Sequence, residues 1–94
     1  MILVLLHYVV PTETIDAHRA AHLDWLHAGV EAGMLLAAGR QVPLTGGMFL
    51  CRGERDAVEA WAKTDPFAIN GLAEYSFTEV ATSVVAPGLE ALKG

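Results

Sequence analysis

The sequence predicts an α+β domain in which two helices cover one face of a four-stranded antiparallel sheet. Three observations predict this class: strand-like and helix-like segments follow one another in a characteristic order, the 94 residues suffice for one compact domain, and 53% of them are hydrophobic. We therefore expect a single domain over residues 1–94, with a core from about residue 3 to residue 82 and a C-terminal tail over residues 83–94.

The first strand is predicted over residues 2–10, because apolar side chains fill both of its alternating faces and Pro11 ends it. This pattern is typical of a strand that is buried on both sides. One face carries Ile2, Val4, Leu6 and Tyr8, and the other carries Leu3, Leu5 and Val9 together with His7.

The first helix is predicted from about Glu13 to Ala32, with Thr12 or Thr14 as its cap and Gly33 as its end. Its apolar positions share one stripe, which should face the sheet. They are Ile15, Leu26 and Val30.

A hairpin follows, because the extended segments "MLLAAGRQVP" (34–43) and "GMFLCRG" (47–53) flank the turn-forming "LTGG". The second helix is predicted in "ERDAVEAWAKT" (54–64), where apolar residues recur with helical spacing until Asp65-Pro66 stops them. "AEYSFTEVATSVV" (73–85) then alternates as a fourth strand. The resulting β-α-β-β-α-β order is that of a ferredoxin-like domain.

The sheet should have an uncovered face, since two helices cover only one side of it and the first strand is apolar on both. An exposed apolar face of this kind is an interaction surface. The simplest arrangement that covers it is a symmetric homodimer whose sheets pack face to face.

The charge balance argues against a nucleic-acid partner, because six Lys and Arg stand against eleven Asp and Glu and the net charge is -5. The apolar stretch over residues 1–10 is too short to cross a bilayer and lacks the basic start of a signal peptide, so no membrane partner is expected. The single cysteine, Cys51, cannot form an intramolecular disulfide and is interpreted as a small buried hydrophobic residue. We expect a cytoplasmic protein.

His22 lies in the middle of the apolar stripe of the first helix, and Arg19 lies one turn earlier at its edge. Three interpretations of His22 stay open: a hydrogen-bonded core residue, a general acid or base, and half of a metal site with His18. The metal site lacks a zincin glutamate and paired cysteines, so no metal is expected. An inward Arg19 beside the imidazole could hold an anionic group.

Asp65 has two compatible interpretations. Followed by Pro66, it is a good cap for a one-turn helix in "DPFAIN" (65–70). A carboxylate can also cap a turn with one oxygen and face a histidine with the other. In the hairpin turn, Thr45 adds a hydroxyl and backbone amides that could contact a ligand.

Four segments together resemble the YCII-related family, and the resemblance runs from about Leu3 to Thr82. They are "HRAAHLDWL" (18–26), "GMLLAAGRQVP" (33–43), "TGGMFL" (45–50) and "AVEAWAKTDPFAINGLAEYSFTEV" (57–80). The resemblance implies a dimeric α/β barrel similar to muconolactone isomerase, with a pocket near the dimer interface in which His22 and Asp65 form a catalytic pair. The sequence departs from the common family pattern at Arg40, where many members carry proline. A cation there would favour an anionic or phenolate-like ligand.

These residues and the resemblance together predict a small cofactor-independent enzyme of lyase or isomerase type. In it, Asp65 orients His22, and the imidazole moves a proton on a cyclic or phenolic small molecule. Arg19, Arg40 and Thr45 would bind that substrate. Most family members have no assigned reaction, and one characterised type is a dehydrochlorinase of a chlorinated hydroxyhydroquinone. Two alternatives stay open: a non-catalytic binding or accessory module of an enzyme complex, and a cofactorless oxygenase.

Overall fold

The computed structural model describes all residues from 1 to 94, and it has the predicted β-α-β-β-α-β order with a one-turn helix inserted before the last strand. The strands form one antiparallel sheet in the order β2-β3-β1-β4. The elements are β1 (Ile2–Tyr8), α1 (Thr12–Glu31), β2 (Leu35–Arg40), β3 (Gly46–Cys51), α2 (Arg55–Ala62), α3 (Pro66–Ile69), β4 (Ala73–Glu79) and a 3₁₀ turn (Glu90–Leu92).

The core lies between one face of the sheet and the helices. β1 is a central strand, and its fully buried Val4 lies opposite Phe49 on β3 and Phe77 on β4. Cys51 is buried as predicted, and burial raises the pKa of its thiol to about 11. The buried hydrophobic residues are Ile2, Val4, Leu6, Ile15, Leu35, Phe49, Cys51, Val58, Ala62, Phe67 and Leu72.

The ends of two strands differ most from the prediction, since β2 ends at Arg40 instead of residue 43 and β4 ends at Glu79 instead of residue 85. β4 pairs only with β1, whose pairing begins at Ile2, so few partners exist beyond Glu79. The Val80 N–H donates to the carbonyl of Met1 at 2.8 Å and closes the ladder. β-propensity alone could not reveal this limit, because it depends on the length of the neighbouring strand.

The predicted cap of α1 is wrong. Neither Thr12 nor Thr14 caps the helix with its side chain; α1 starts directly after Pro11, and the Thr14 N–H donates to the Pro11 carbonyl at 3.0 Å. The predicted apolar stripe is also wrong at its last position, because Val30 is 52% exposed.

The buried position at that end of α1 is Gly29. A β-carbon on Gly29 would lie 2.5 Å from Cζ2 of Trp61, so the missing side chain allows the indole to approach the helix backbone. The α1 surface that contacts the core therefore passes through Gly29, and the neighbouring Val30 points outward.

The outer face of the sheet is uncovered in the single chain. Leu5 on β1 is 42% exposed and Leu3 is half-buried, so the expectation of burial on both sides is not met within one chain. These two residues pair across the strands with Met48 and Leu50 of β3, and the four side chains form an apolar patch. The facing residues of β4 are polar, namely Glu74, Ser76 and Thr78.

The C-terminal residue Gly94 lies near the N-terminus of the chain. The Thr82 N–H donates to the Gly94 carbonyl, and the N-terminal amine of Met1 donates to the Val80 carbonyl at 3.0 Å. None of the helices combines the length and the apolar character needed to cross a bilayer.

Gly46 provides a test of the β1–β3 contact. A β-carbon there would lie 1.7 Å from the Leu6 carbonyl oxygen, so Gly46→Ala should destabilise the fold by about 3 kcal/mol or more. Gly39→Ala is the control, because no atom lies within 4 Å of the added carbon. Urea unfolding measures both, and equal midpoints for the two variants would contradict the close approach.

Candidate active site

Asp65 occupies the corner between α2 and α3 and is fully buried. Its Oδ1 accepts a hydrogen bond of 3.0 Å from the backbone N–H of Phe67, and Pro66 fills the first helical position. The predicted capping role of Asp65 is confirmed.

The same carboxylate contacts His22 of α1. The His22 Nδ1 and the Asp65 Oδ1 are 2.7 Å apart, and the histidine is only 9% exposed. The inward orientation predicted for His22 is thus confirmed, and the two residues form a buried pair although 43 positions separate them in sequence.

A third side chain, Tyr75 of β4, completes the surroundings of Asp65. Its hydroxyl donates to Oδ2 at 2.5 Å. Burial raises the pKa of Tyr75 strongly, and its hydrogen bond to Asp65 and the charge of that carboxylate raise it further. Tyr75 therefore stays a neutral phenol that donates to Asp65.

The hydrogen bonds around Asp65 fix the proton on the imidazole. Because Asp65 accepts hydrogen bonds from its neighbours, Nδ1 of His22 is the nitrogen that donates to it, and in the neutral imidazole the lone pair then lies on Nε2. No protein group bonds to Nε2. The only buried side-chain nitrogen or oxygen without a partner is Oγ1 of Thr82, so Nε2 of His22 lies on accessible surface. A nitrogen in this state can accept a proton from a bound molecule.

Aromatic rings hold the plane of the imidazole. The Phe67 ring stacks on His22 with centroids 3.9 Å apart and an interplanar angle of 3°. Trp25 lies farther from His22, at 6.0 Å, and itself stacks on Trp61 at 4.0 Å. Its indole N–H donates to the Thr64 hydroxyl at 2.9 Å, which fixes the position of Trp25.

A cavity of about 270 Å³ opens beside His22. Its walls are mainly apolar, and its polar contributors are the histidine, two arginines and a phenol. The residues around it are Leu6, Tyr8, Ile15, Arg19, His22, Leu23, Leu26, Ala38, Gly39, Arg40, Gly47, Phe49 and Phe67. A mostly apolar hollow with a few converging polar groups is the usual form of a small-molecule site.

The predicted site residues differ in where they lie. His22, Arg19 and Arg40 line the cavity, and Asp65 lies behind the imidazole without lining it. Thr45 is not part of the cavity wall: its hydroxyl points to the Pro43 carbonyl at 3.4 Å, so its contact with a substrate stays a prediction. No three His, Cys, Asp or Glu side chains converge in a way that could hold a metal ion.

Sequence reasoning missed three residues of the site, namely Tyr8, Phe67 and Tyr75. The alternation along the strands contained a signal for the tyrosines, because Tyr8 shares a face with the buried Leu6 and Tyr75 pairs with Leu6 across the sheet. The stacking of Phe67 on His22 depends on how α3 packs against α1, and the sequence gives no local signal for it.

The sequence profile of the YCII-related domain matches residues 1–81. The chain belongs to the YCII-related domain family. A search among curated proteins finds no match. The chain is similar to the solved structure of 5-chloro-2-hydroxyhydroquinone dehydrochlorinase from Burkholderia phenoliruptrix in complex with 2,5-dihydroxybenzoquinone. The TM-score is 0.70 at 18% identity, over 85% of this chain and 93% of that one. This similarity shows that the two proteins share a fold.

The two tyrosines of the chain should make the stability of the fold depend on pH. Burial raises the pKa of both Tyr8 and Tyr75 above the ordinary value of about 10, so their neutral forms stabilise the fold below that pH. This stability should be lost as the pH rises through and above about 10. Tyrosinate absorbance of the native protein should therefore lag behind that of the urea-unfolded chain.

In Tyr75→Phe, the loss of stability at high pH should be smaller, because only Tyr8 and the buried Cys51 thiol remain among the groups whose pKa burial raises. Urea unfolding at several pH values measures this difference. Native tyrosinate signals from both residues at the unfolded pKa would contradict the buried hydrogen bond.

Proposed function

We propose that this protein is a small cofactor-independent enzyme of lyase or isomerase type, which transfers a proton on a cyclic or phenolic molecule. One observation carries the proposal: a buried carboxylate holds His22 by Nδ1, while the unpaired Nε2 is accessible on a residue that lines a cavity of about 270 Å³. A histidine with a purely structural role is expected to have both ring nitrogens hydrogen-bonded within the protein, without an accessible nitrogen beside a cavity.

In this mechanism, Nε2 of His22 removes a proton from a carbon next to a carbonyl group or from a ring hydroxyl. The electron pair left behind moves into the ring system. In a lyase it expels a leaving group from a neighbouring carbon; in an isomerase the imidazolium returns the proton to a different carbon. Asp65 stabilises the imidazolium while it exists and keeps the ring in one tautomer.

The similar dehydrochlorinase supports the reaction type, since its name describes the removal of hydrogen chloride from a hydroxylated aromatic ring. Its low sequence identity leaves the substrate of the present protein open. Arg19 and Arg40 of the cavity wall are the groups we assign to substrate binding.

His22→Gln tests the mechanism. Glutamine keeps a polar side chain of similar reach but cannot exchange protons, so turnover should fall by about 10²- to 10⁴-fold while the protein stays folded. A suitable assay follows deuterium incorporation from solvent into hydroxyquinols, cyclic ketones and unsaturated lactones by NMR. His27→Gln is the matched control, because His27 is exposed on the same helix and does not line the cavity.

The result also separates the alternatives. Unchanged turnover in His22→Gln would contradict the proton-transfer mechanism. Tight binding of ring compounds without exchange or conversion in the unmodified protein would favour a binding module, and oxygen consumption with an electron-rich quinol would favour an oxygenase.

Asp65→Asn tests the role of the carboxylate. The asparagine oxygen can take the place of Oδ1 and still accept from Phe67 and His22, but its amide then faces the Tyr75 hydroxyl, and the negative charge that stabilises the imidazolium is lost. We expect kcat to fall by about 10²-fold or more with little change in KM. A variant that keeps its melting temperature and its full kcat would contradict the role of Asp65.

We further propose that two copies of the chain associate through the outer face of the sheet. The apolar patch of Leu3, Leu5, Met48 and Leu50 lies on β1 and β3, where a second sheet could cover it. The polar β4 residues beside the patch would lie at the rim of such an interface.

Leu5→Glu tests this association. A charge in the middle of the patch should convert a dimer to a monomer in sedimentation velocity experiments, and folding should persist because Leu5 is already partly exposed. Ala60→Glu on the exposed side of α2 is the control and should leave the oligomeric state unchanged. A wild-type protein that sediments as a monomer at high concentration would contradict the proposal.

A further inference from the structure

Arg19 and Arg40 come from different elements, α1 and β2, yet both line the cavity beside His22. The chain has only six Lys and Arg and a net charge of -5. Two guanidinium groups in one cavity wall therefore place positive charge at this point of a protein that is negative as a whole. Neither forms an ion pair: the salt bridges of the structure are His22 with Asp65 and Arg55 with Glu59. Two unpaired arginines are therefore available to a ligand.

The two arginines lie at the mouth of the cavity. Both also line a shallow depression on its outer side, together with Thr12, Asp16 and Leu44 of the surrounding surface. Both are exposed, so their charges lie between the solvent and the interior. An entering molecule would meet them before it reached His22.

The charges of both arginines act on one phenol, Tyr8. Burial raises the pKa of its hydroxyl, and the charges of Arg40 and Arg19 both oppose that increase. Both guanidinium groups therefore act on the same phenol, which places them within one electrostatic neighbourhood. Tyr8 itself lines the cavity and packs edge-on against Phe67 at 6.1 Å, so this neighbourhood adjoins the ring that stacks on His22.

The interior of the cavity is apolar, in contrast to the positive charge at its mouth. Phe49 and Phe67 present aromatic surface, and aliphatic side chains complete the wall. The volume of about 270 Å³ lies just below the range of about 300–1,000 Å³ typical of drug-sized ligands. A single flat ring suits this interior, and a negative group suits its mouth.

We propose that the substrate is a one-ring carboxylate, whose ring lies against Phe49 and Phe67 near His22 and whose carboxylate is bound by Arg19 and Arg40. This assignment deepens the proposed function, since it names the substrate class for the same site. A guanidinium group binds a carboxylate with two parallel hydrogen bonds, which a neutral hydroxyl cannot match. Asp16 at the mouth opposes a second negative charge, so a monoanion is favoured over a phosphate dianion.

Benzoate and benzamide test the proposal, because they share ring and shape and differ in charge. Isothermal titration calorimetry at low ionic strength should show benzoate binding at least tenfold more tightly than benzamide. In Arg19→Gln and in Arg40→Gln this preference should fall below about threefold. Arg55→Gln is the control and should keep the full preference, since Arg55 is paired with Glu59 on α2.

Equal affinity for the two compounds, no binding of either, or a preference unchanged in both arginine variants would overturn the assignment. Displacement of benzoate by inorganic phosphate at equal concentration would also overturn it, in favour of a phosphate site. His22→Gln distinguishes this assignment from the proposed function. If that variant keeps both its turnover and its preference for benzoate, the mechanism fails and the carboxylate site stands.

Discussion

The buried carboxylate of Asp65 is the constraint on which the rest of the site depends. A fully buried carboxylate is tolerated only when its oxygens are satisfied, and here the donors come from three elements: His22 on α1, Phe67 on α3 and Tyr75 on β4. These hydrogen bonds join the first helix, the corner after the second helix and the edge strand at one point. The same contacts set the tautomer of the imidazole, so the geometry of the site is a consequence of how the fold closes.

The parts of this arrangement that were predictable from the sequence depend on local patterns. Helical periodicity places His22 on the inner face of α1, and Asp65 followed by Pro66 is a local capping signal. The pairing of His22 with Asp65 came from the family resemblance, because 43 residues separate the two. Tyr75 was missed because its role depends on the register of β4 against β1, which alternation alone does not set.

The inaccurate parts of the prediction share a physical origin, since each depends on a neighbour distant in sequence. β4 ends at Glu79 because its partner begins at Ile2, and Val30 turns outward because Trp61 approaches Gly29. The pattern of a single segment indicates which secondary structure it tends to form, and packing against distant residues decides where that element ends and which side chains are buried.

The stacked pair of Trp25 and Trp61 contains both tryptophans of the chain. Trp25 also lies 6.0 Å from the imidazole of His22, with the two rings inclined by only 26°. The intrinsic tryptophan fluorescence of the protein therefore originates from one stacked pair of indoles, of which Trp25 lies beside the imidazole of His22. A molecule bound next to His22 would change the surroundings of Trp25, so emission intensity offers a label-free signal for screening compounds that bind in the cavity.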